Sequence, residues 1–330
     1  MTRFPGALLL AVGLCSVQGA RAEKLTIMVG GIEKQIYLPA KLADQLGYLK
    51  EQGLEVELLT EPAGVQAENA MLAGEVQAVV GFYDHSIDLQ SKGKFVESIV
   101  QFSQAPGEVE LVSSKVADQV RSPADFKGKH LGVTGLGSST SFLTTYLAVK
   151  NGLKAGDFVL VPVGAGSTFI AAIQQGKIEA GMTTEPTISR LLKTGEAKVL
   201  VDLRSPEKTK AALGGPYPAA CLYAQTSWVD KHKDAAQKLA NAFVKTLRYI
   251  HDHSAADIAE RMPRDYYTGD KELYVKALAD GKDMFTTDGV MPDQGPETVL
   301  RVLTASNKAL ESKKVDLSKT YTAEFVKAAK

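Results

Sequence analysis

Short segments of apolar or alternating residues are separated along most of this chain by longer stretches of helical periodicity. Strands are predicted at residues 25–29, 54–59, 76–80 and 95–102, with a first helix at 37–49. The pattern then restarts, with strands at 131–134, 158–163, 178–182 and 199–201 and a helix at 138–150. Strands and helices that alternate across short turns predict an α/β fold in which mostly parallel sheets are flanked by helices.

The character of the chain changes after residue 215. One more strand is predicted at 219–224, and helices follow at 230–251, 254–262, 271–281, 296–310 and 321–329. We therefore expect a first part of lobe 1 at 23–106, lobe 2 at 107–215 and a return to lobe 1 at 216–330. The two crossings between the lobes, near 104–106 and 216–218, are expected to act as hinges.

Residues 63–78 and 165–180, which lie 102 positions apart, resemble one another. Each copy predicts a glycine turn, a helix, a glycine stop and a short buried strand. The identical pairs are Ala63/Ala165, Gly64/Gly166, Ala70/Ala172, Gly74/Gly176 and Ala78/Ala180. The repeat predicts two similar α/β lobes with a cleft between them, and clefts between domains are common ligand sites.

The first 22 residues have the features of a secretory signal peptide. Arg3 precedes an apolar run at 7–17, and Ala20 and Ala22 frame a small-x-small cleavage site. The run is too short to span a bilayer. We expect cleavage after Ala22 and a periplasmic mature protein. Leu14 stands directly before Cys15, where lipoproteins carry a small residue, so a freely soluble product is expected.

Composition and charge exclude several classes of protein. The sequence has 38 basic and 38 acidic residues, so removal of Arg3 and Arg21 leaves 36 against 38, a net charge of about −2. This balance gives no reason to expect nucleic acid or an anionic membrane as a partner. Cys221 is left as a single cysteine. No metal, cofactor or catalytic signature is present, and we expect neither metal nor cofactor.

Four predicted strand ends are followed by helix starts, at residues 31–37, 64–66, 137–140 and 166–168. Ligands of open parallel sheets lie beyond the carboxyl ends of the strands, and a helix start offers free N–H groups to an anion. Hydroxyl groups that can donate to ligand oxygens are supplied by Ser138, Ser139, Thr140, Ser167 and Thr168. Each hydroxyl, taken alone, is better explained by helix capping, and only the group as a whole favours contact with a ligand.

Other side chains near these strand ends are weaker candidates. Tyr37 and Tyr83 follow strand ends directly, and Asp84 and His85 come next to Tyr83. Glu185 is unfavourable for a purely anionic ligand, and it either contacts an amino group or braces the helix after Pro186. Gly135-x-Gly137 lacks the third glycine of a dinucleotide fingerprint, because position 140 is Thr140.

Taken together, the motifs resemble a known family. Residues 135–141, 164–166 and 176–181, Glu185-Pro186 and the signal peptide are similar in order and spacing to periplasmic solute-binding proteins of ABC importers for nitrate, sulfonate and taurine. That group includes thiamine-precursor-binding relatives. The resemblance implies a type II binding-protein fold, with two lobes joined by two crossing strands and closing over a small solute.

The resemblance also implies a set of ligand-binding residues in the strand-end loops. They are Gln35, Tyr37, Gly64, Val65, Gln66, Tyr83, Asp84, His85, Ser138, Ser139, Thr140, Ser167, Thr168 and Glu185. The implied protein is not an enzyme. It is a monomer that captures a small organic anion or zwitterion, such as a sulfonate, nitrate, taurine or a carboxylate, and delivers it to the permease and ATPase subunits of an importer.

Two departures from the family limit the ligand and leave alternatives open. No arginine stands in these loops, so an arginine clamp on a carboxylate or sulfonate is not evident. The cysteine-rich motif of the family's thiamine-precursor-synthesising enzymes is absent. One alternative is an exported enzyme of the same fold acting on a pyrimidine-like or aromatic acid substrate, with Asp84 and His85 as the acid–base pair. A sensor that presents the solute to a receptor is another.

Overall fold

The computed structural model describes residues 23–267, 269–307 and 310–329. The predicted signal peptide, residues 1–22, lies outside the described residues. Within this part of the chain the strands form two five-stranded sheets, each flanked by helices. The two-lobed α/β fold predicted from the sequence is confirmed.

The first sheet carries its strands in the order β2-β1-β3-β10-β4. The strands are β1 (Glu23–Val29), β2 (Leu54–Thr60), β3 (Ala78–Phe82), β4 (Val96–Gln101) and β10 (Ala220–Gln225). Ile27 of β1 stands beside Leu58 of β2 and Ala78 of β3 in parallel register. β10 is antiparallel to both of its neighbours, so four strands of this sheet run one way and one runs the other.

The second sheet repeats this plan, in the order β7-β6-β8-β5-β9. Its strands are β5 (Glu108–Ser113), β6 (His130–Val133), β7 (Val159–Pro162), β8 (Ala180–Thr184) and β9 (Ala197–Asp202). Here β5 is the antiparallel strand. In each sheet the antiparallel strand is therefore the first strand that the chain forms after it crosses from the other sheet.

The helices cover both sheets and build the C-terminal part. They are α1 (Leu38–Gln45), α2 (Tyr48–Glu51), α3 (Gly64–Leu72), α4 (Asp84–Ser91), α5 (Ser139–Lys150), α6 (Ser167–Gln174), α7 (Thr187–Lys193), α8 (Pro206–Leu213), α9 (Thr226–Lys231), α10 (Lys233–Asp252), α11 (Ala255–Arg261), α12 (Lys271–Gly281), α13 (Gly295–Ser306) and α14 (Glu324–Lys327). No helix within the described ranges is both long and apolar enough to cross a membrane.

The sequence repeat corresponds to equivalent parts of the two lobes. The first copy forms α3 and leads into β3, and the second forms α6 and leads into β8. β3 and β8 each hold the third position in their sheet. Gly74 and Gly176 end the two repeat helices with φ of 82° and 67°, a backbone conformation that favours glycine. The topology therefore supports the predicted pseudo-symmetry.

The main hydrophobic core lies around the first sheet and extends into the second lobe. It contains residues of β1, β3, β10 and α10 together with Leu143 and Leu147 of α5. Helix α13 packs against both α4 and α5, and so bridges the two lobes near their connection. Smaller clusters fill the rest of the second lobe, one around Phe169 and Ile173 and another around Phe126 and Leu131.

The segments that cross between the sheets are held side by side. Phe102 donates its backbone N–H to the oxygen of Ala220 at 2.8 Å, and Ala219 donates to Ser103 at 3.1 Å. Gly107 donates to Leu203 at 3.0 Å. These bonds couple the two predicted hinge regions, whose motion, like the residue boundaries of the lobes, stays a prediction.

Several predicted element boundaries differ from the structure. The helix predicted at 37–49 is broken at Gly47, where φ is 75°, into α1 and α2. The strands predicted at 76–80 and 178–182 begin two residues later, at Ala78 and Ala180. Strand β5 was not predicted, since two glutamates within its six residues hide its buried character. The last predicted helix, at 321–329, is reduced to the short α14.

Candidate functional site

A closed cavity lies where the carboxyl ends of the central strands of the two sheets face each other. The first lobe contributes Lys34, Tyr37, Gly64, Phe82 and His85 to its walls. The second lobe contributes Glu108, Thr134, Ser138, Ser139 and Thr184. Larger grooves exist elsewhere among the described residues, but they are lined mostly by exposed or partly buried residues, whereas the walls of this cavity are buried.

The lobes are drawn together around this cavity. It encloses about 260 Å³ between atoms, and little of that space is wide enough for a water molecule. Gln35 N donates across the cleft to the backbone oxygen of Glu185 at 3.1 Å, and Val65 N donates to Ser138 Oγ at 3.4 Å. A ligand can therefore enter only when the cleft opens.

His85 forms a buried ion pair within the first lobe. Its Nδ1 lies 2.7 Å from Glu68 Oε2, with the two side chains 1% and 5% exposed. Burial alone would lower the pKa of His85, but the Glu68 carboxylate outweighs burial and raises it to about 9. Nε2 faces the start of α3, where a Cβ on Gly64 would stand 2.7 Å away. A protonated imidazole that donates from Nε2 is thus fixed in the wall of the cavity.

Lys34 brings a second buried base to the cavity. Its Nζ donates to the backbone oxygens of Gly30 at 2.6 Å and Pro62 at 3.0 Å. Burial lowers the pKa of Lys34 to about 8, while the carboxylates of Glu33 and Glu108 oppose that shift. Since an ammonium group has three N–H donors and two are used, one donor is left for a ligand.

Glu108 is the acidic group of the opposite wall. Its Oε1 accepts a hydrogen bond of 2.7 Å from Ser139 Oγ, while Oε2 is buried and receives none from any residue that the structure describes. Burial raises the pKa of Glu108 to about 8, against the lowering effect of the Ser139 hydroxyl. The carboxyl group is therefore largely protonated at neutral pH.

Asp84 stands just behind the cavity, at the start of α4. Its Oδ2 accepts a hydrogen bond of 2.9 Å from the hydroxyl of Tyr217, and for Oδ1 the described residues offer no donor. Burial raises the pKa of Asp84 to about 6, while the charge of His85 and the Tyr217 hydroxyl hold it down. Tyr217 comes from the second crossing segment, so the return of the chain to the first sheet fixes Asp84.

The hydroxyl groups of the 138–140 turn have separate partners. Ser138 Oγ faces Val65 across the cleft, and Ser139 donates to Glu108. Thr140 Oγ1 is buried and bonded to Thr134, accepting from its backbone N–H at 3.0 Å. Ser138 and Ser139 thus line the cavity, and Thr140 holds the turn in place behind it.

The structure brings five of the fourteen predicted ligand-binding residues into the cavity wall. These are Tyr37, Gly64, His85, Ser138 and Ser139. Asp84 lies one layer behind the wall. The ring of Tyr37 packs edge-on against Phe82 at 6.1 Å between centroids. The site therefore gathers predicted residues from three of the four helix starts.

The other predicted residues lie elsewhere. Gln35 donates its side-chain amide to Tyr274, Val65 lies at the rim, and Gln66 is exposed. Tyr83 turns away to hydrogen-bond Thr320. Ser167 and Thr168 are exposed at the start of α6, where Thr168 Oγ1 donates to Ala165.

Glu185 has a bracing role in this conformation. Its Oε2 accepts from Ser189 N at 2.9 Å, and its Oε1 accepts from Ser189 Oγ at 2.9 Å and from Arg204 at 3.1 Å. Arg204 is also paired with Asp202. The side chain of Glu185 is thus occupied at the start of α7, as one of its two predicted roles anticipated.

Sequence reasoning missed Lys34, Glu68, Glu108, Thr134 and Thr184. Two of these residues, both glutamates, could have been recognised from the sequence. Glu68 interrupts the apolar face of the first repeat helix, and Glu108 directly follows Pro106-Gly107 at a predicted crossing. A charged residue at a buried position of the pattern requires a partner, and this rule would have singled out both.

The comparisons with known proteins place the chain in a family. A family model described as NMT1/THI5 like matches residues 37–256, about two thirds of the chain. YtlA of Bacillus subtilis (strain 168), which is named as a binding protein, is 24% identical over 276 residues, covering 81% of this chain and 77% of that protein. A 4-amino-5-hydroxymethyl-2-methylpyrimidine phosphate synthase of Saccharomyces cerevisiae, THI13, is 26% identical over 165 residues, covering about half of each chain (49% and 46%).

Solved structures share the fold over almost the whole chain. A protein from Bordetella bronchiseptica RB50 is 35% identical, with a TM-score of 0.88 over 92% of this chain and 96% of that one. The alkanesulfonate-binding protein SsuA from Xanthomonas axonopodis pv. citri, solved with MOPS, has a TM-score of 0.71 at 18% identity over 92% and 99% of the two chains. The periplasmic nitrate-binding protein NrtA from Synechocystis PCC 6803 also reaches 0.71, at 12% identity over 93% and 88%. The chain belongs to the NMT1/THI5-like family and has the two-lobed fold of periplasmic ABC substrate-binding proteins.

Proposed function

We propose that this protein is the periplasmic solute-binding component of an ABC importer, and that it captures a small organic anion or zwitterion between its lobes. The observation that carries the proposal is the closed cavity at the strand ends of both sheets, to which each lobe contributes buried polar groups. Ligands of open α/β sheets bind at this position. The binding proteins with the same fold support this proposal.

The basic side chains in the cavity wall favour an anionic group on the ligand. His85 and Lys34 present donors on one wall, and the N-termini of α3 and α5 face the same space. Glu108 does not repel an anion strongly while it is protonated. These contacts replace the arginine clamp that the sequence lacks.

Binding and closure are coupled in the proposed mechanism. A ligand that contacts Tyr37 and His85 on one lobe and Ser138 and Ser139 on the other stabilises the closed form only, and a permease with its ATPase then recognises the closed surface. The protein is proposed to act as a monomer in the periplasm, after cleavage of its signal peptide.

The alternative is an exported enzyme of the same fold. The partial similarity to a pyrimidine phosphate synthase is the reason to consider this enzyme. The synthase matches only 49% of this chain, however, whereas the alkanesulfonate-binding and nitrate-binding proteins of the same fold match 92% and 93% of it. We therefore favour binding without turnover.

A thermal-shift screen of mature protein from Glu23 tests the proposal. The panel contains nitrate, bicarbonate, taurine, alkyl and aryl sulfonates, aromatic carboxylates and pyrimidines. A ligand at 100 times its dissociation constant adds about 2.7 kcal/mol to the stability. We expect at least one compound to raise the melting temperature and to be recovered unchanged. A compound that is consumed on incubation identifies the enzyme, and no response to any member of the panel contradicts the proposal.

A further inference from the structure

One carboxyl oxygen of a cavity-lining residue has no hydrogen-bond partner. Glu108 is 1% exposed and its Oε1 is held by Ser139, but Oε2 receives no hydrogen bond within the part of the chain that the structure describes. A buried carboxyl oxygen without a hydrogen-bond partner is unfavourable, because it has lost its contacts with water and gained none in return. A ligand that donates to Oε2 on closure would supply the missing partner.

A second glutamate on the same strand shows what sets Glu108 apart. Glu110 lies two residues further along β5, so both side chains share one face of the strand. Its Oε2 accepts a hydrogen bond of 2.7 Å from Thr144 of α5, and its Oε1, like Oε2 of Glu108, has no hydrogen-bond partner among the described residues. Glu110 does not line the cavity, so the position of Glu108 in the wall is what distinguishes the two groups. Both carboxyl groups are buried, but Glu108 alone of the two reaches the cavity.

The opposite lobe adds a second acidic group with a spare oxygen. Asp84 is buried and bonded to Tyr217 through Oδ2, while Oδ1 has no donor among the described residues. Asp84 and Glu108 come from different lobes and are close enough to interact electrostatically. Closure thus brings two incompletely paired acidic groups together, and a cation between the lobes would relieve both.

We infer that Glu108 binds an N–H cation of the ligand, a protonated amine or amidine, through Oε2 when the lobes close. This inference rests on the proposed binding function and narrows the ligand to one that carries such a group beside its anionic part. Lys34 and His85 take the anionic part on the opposite wall. Glu108 is then the residue that distinguishes an amino compound from its methyl analogue.

Proton release gives this arrangement a measurable signature. Burial, together with the charges of Asp84 and Glu110, raises the pKa of Glu108 to about 8, while Ser139 and Lys34 lower it. A bound cation lowers that pKa, so binding at pH 7 releases the Glu108 proton to the buffer. Binding of a purely anionic ligand leaves the carboxyl group protonated and instead favours proton uptake by Lys34.

Three pairs of probes that differ in one group test the inference. They are β-alanine against butyrate, 2-aminoethanesulfonate against propane-1-sulfonate, and 4-aminobutyrate against pentanoate. Isothermal titration calorimetry at pH 7, in buffers of different ionisation enthalpy, measures both affinity and proton release. We expect at least one amino compound to bind the wild type about 10- to 100-fold more tightly than its methyl partner, the range for a hydrogen bond to a charged group, and to release a proton.

Two variants assign the effect to one residue. Glu108→Gln should lose the preference for the amino compound and the proton release, while the matched control Glu110→Gln should keep both. A melting temperature close to that of the wild type for each unliganded variant shows that folding is intact. A merely structural role for Glu108 would not abolish proton release and amino selectivity together.

The outcomes separate this inference from the proposed function. If methyl analogues bind as tightly as amino compounds, or if Glu108→Gln keeps the amino preference, the inference is overturned and the binding function stands. If the amino compounds do not bind at millimolar concentration while butyrate or propane-1-sulfonate does, the inference is likewise overturned and the binding function stands. If none of the six probes binds, the inference is overturned, and the wider screen then decides the function.

Discussion

Replacing Gly135 with a larger residue should oppose closure of the cleft. Gly135 lies in the turn between β6 and α5, opposite the turn before α3 of the first lobe. A Cβ at this position would stand 3.0 Å from the Cβ of Ala63 and 3.4 Å from Val65 Cγ1 across the cleft, and 3.2 Å from the mobile hydroxyl of Ser138 in its own turn. The backbone of Gly135 is not in the left-handed region, so alanine and valine need no strained φ there.

The size of the effect follows from that contact. A separation of 3.0 Å between carbon atoms is well inside the optimal distance, which is about 3.5–4.0 Å. Overpacking of this kind costs about 1–3 kcal/mol, and because opening the cleft relieves it, the cost falls on the closed form. Since the ligand is proposed to select the closed form, Gly135→Ala should weaken binding by about 5- to 150-fold, and Gly135→Val by more.

Calorimetry with a compound found in the thermal-shift screen measures this loss, and small-angle X-ray scattering reports whether the liganded variant remains open. Gly156→Ala is the matched control, because a Cβ there meets no described atom within 4 Å. The unliganded melting temperature of Gly135→Ala should stay near that of the wild type. Equal affinities of Gly135→Ala, Gly156→Ala and the wild type would refute closure at this contact.

Four further predictions concern the buried titratable groups. His85→Gln leaves Glu68 buried without its partner and should destabilise the protein by about 3–5 kcal/mol near neutral pH, while a double change with Glu68→Gln should recover part of that loss in urea titrations. The pKa of His85 is raised to about 9 from its ordinary 6.5, so its stabilisation is complete below about pH 6.5 and is lost as pH rises through 9; the wild-type stability should fall over this window more than that of His85→Gln. Burial raises the pKa of Glu110 to about 8, so stability is lost as pH rises from about 4.5 through 8, and Glu110→Gln should flatten that part of the curve. Tyr217→Phe removes the donor to Asp84 and should cost about 1–3 kcal/mol, measured by thermal unfolding; no loss would contradict the assigned hydrogen bond.

Much of the fold could be predicted because it rests on local and periodic features. Apolar runs and glycine turns located nine of the ten strands among the described residues, and the repeat at 63–78 and 165–180 correctly indicated two lobes of the same topology. The exception, β5, is instructive. Its burial results from packing between β8 and β9, a tertiary arrangement that the alternation of Glu108, Val109, Glu110 and Leu111 does not reveal.

The site could be predicted only in outline, because the position of a strand end does not settle which way a neighbouring side chain points. Ser138 and Ser139 were expected at the cavity and line it, whereas Ser167, at the equivalent helix start of the second repeat, is exposed. The pairing of His85 with Glu68 joins two elements that are 17 residues apart in sequence. No periodicity could have indicated that Glu108 and Lys34, from opposite lobes, share one cavity.

The central claim is that the two lobes close on one small molecule and leave it chemically unchanged. Native mass spectrometry of the mature protein, incubated with the compounds of the screen, tests it directly. We predict a complex of one ligand per chain whose released ligand has the starting mass, with reduced occupancy in Gly135→Ala. Failure to form a complex with any compound, or release of a ligand of altered mass, would contradict the account.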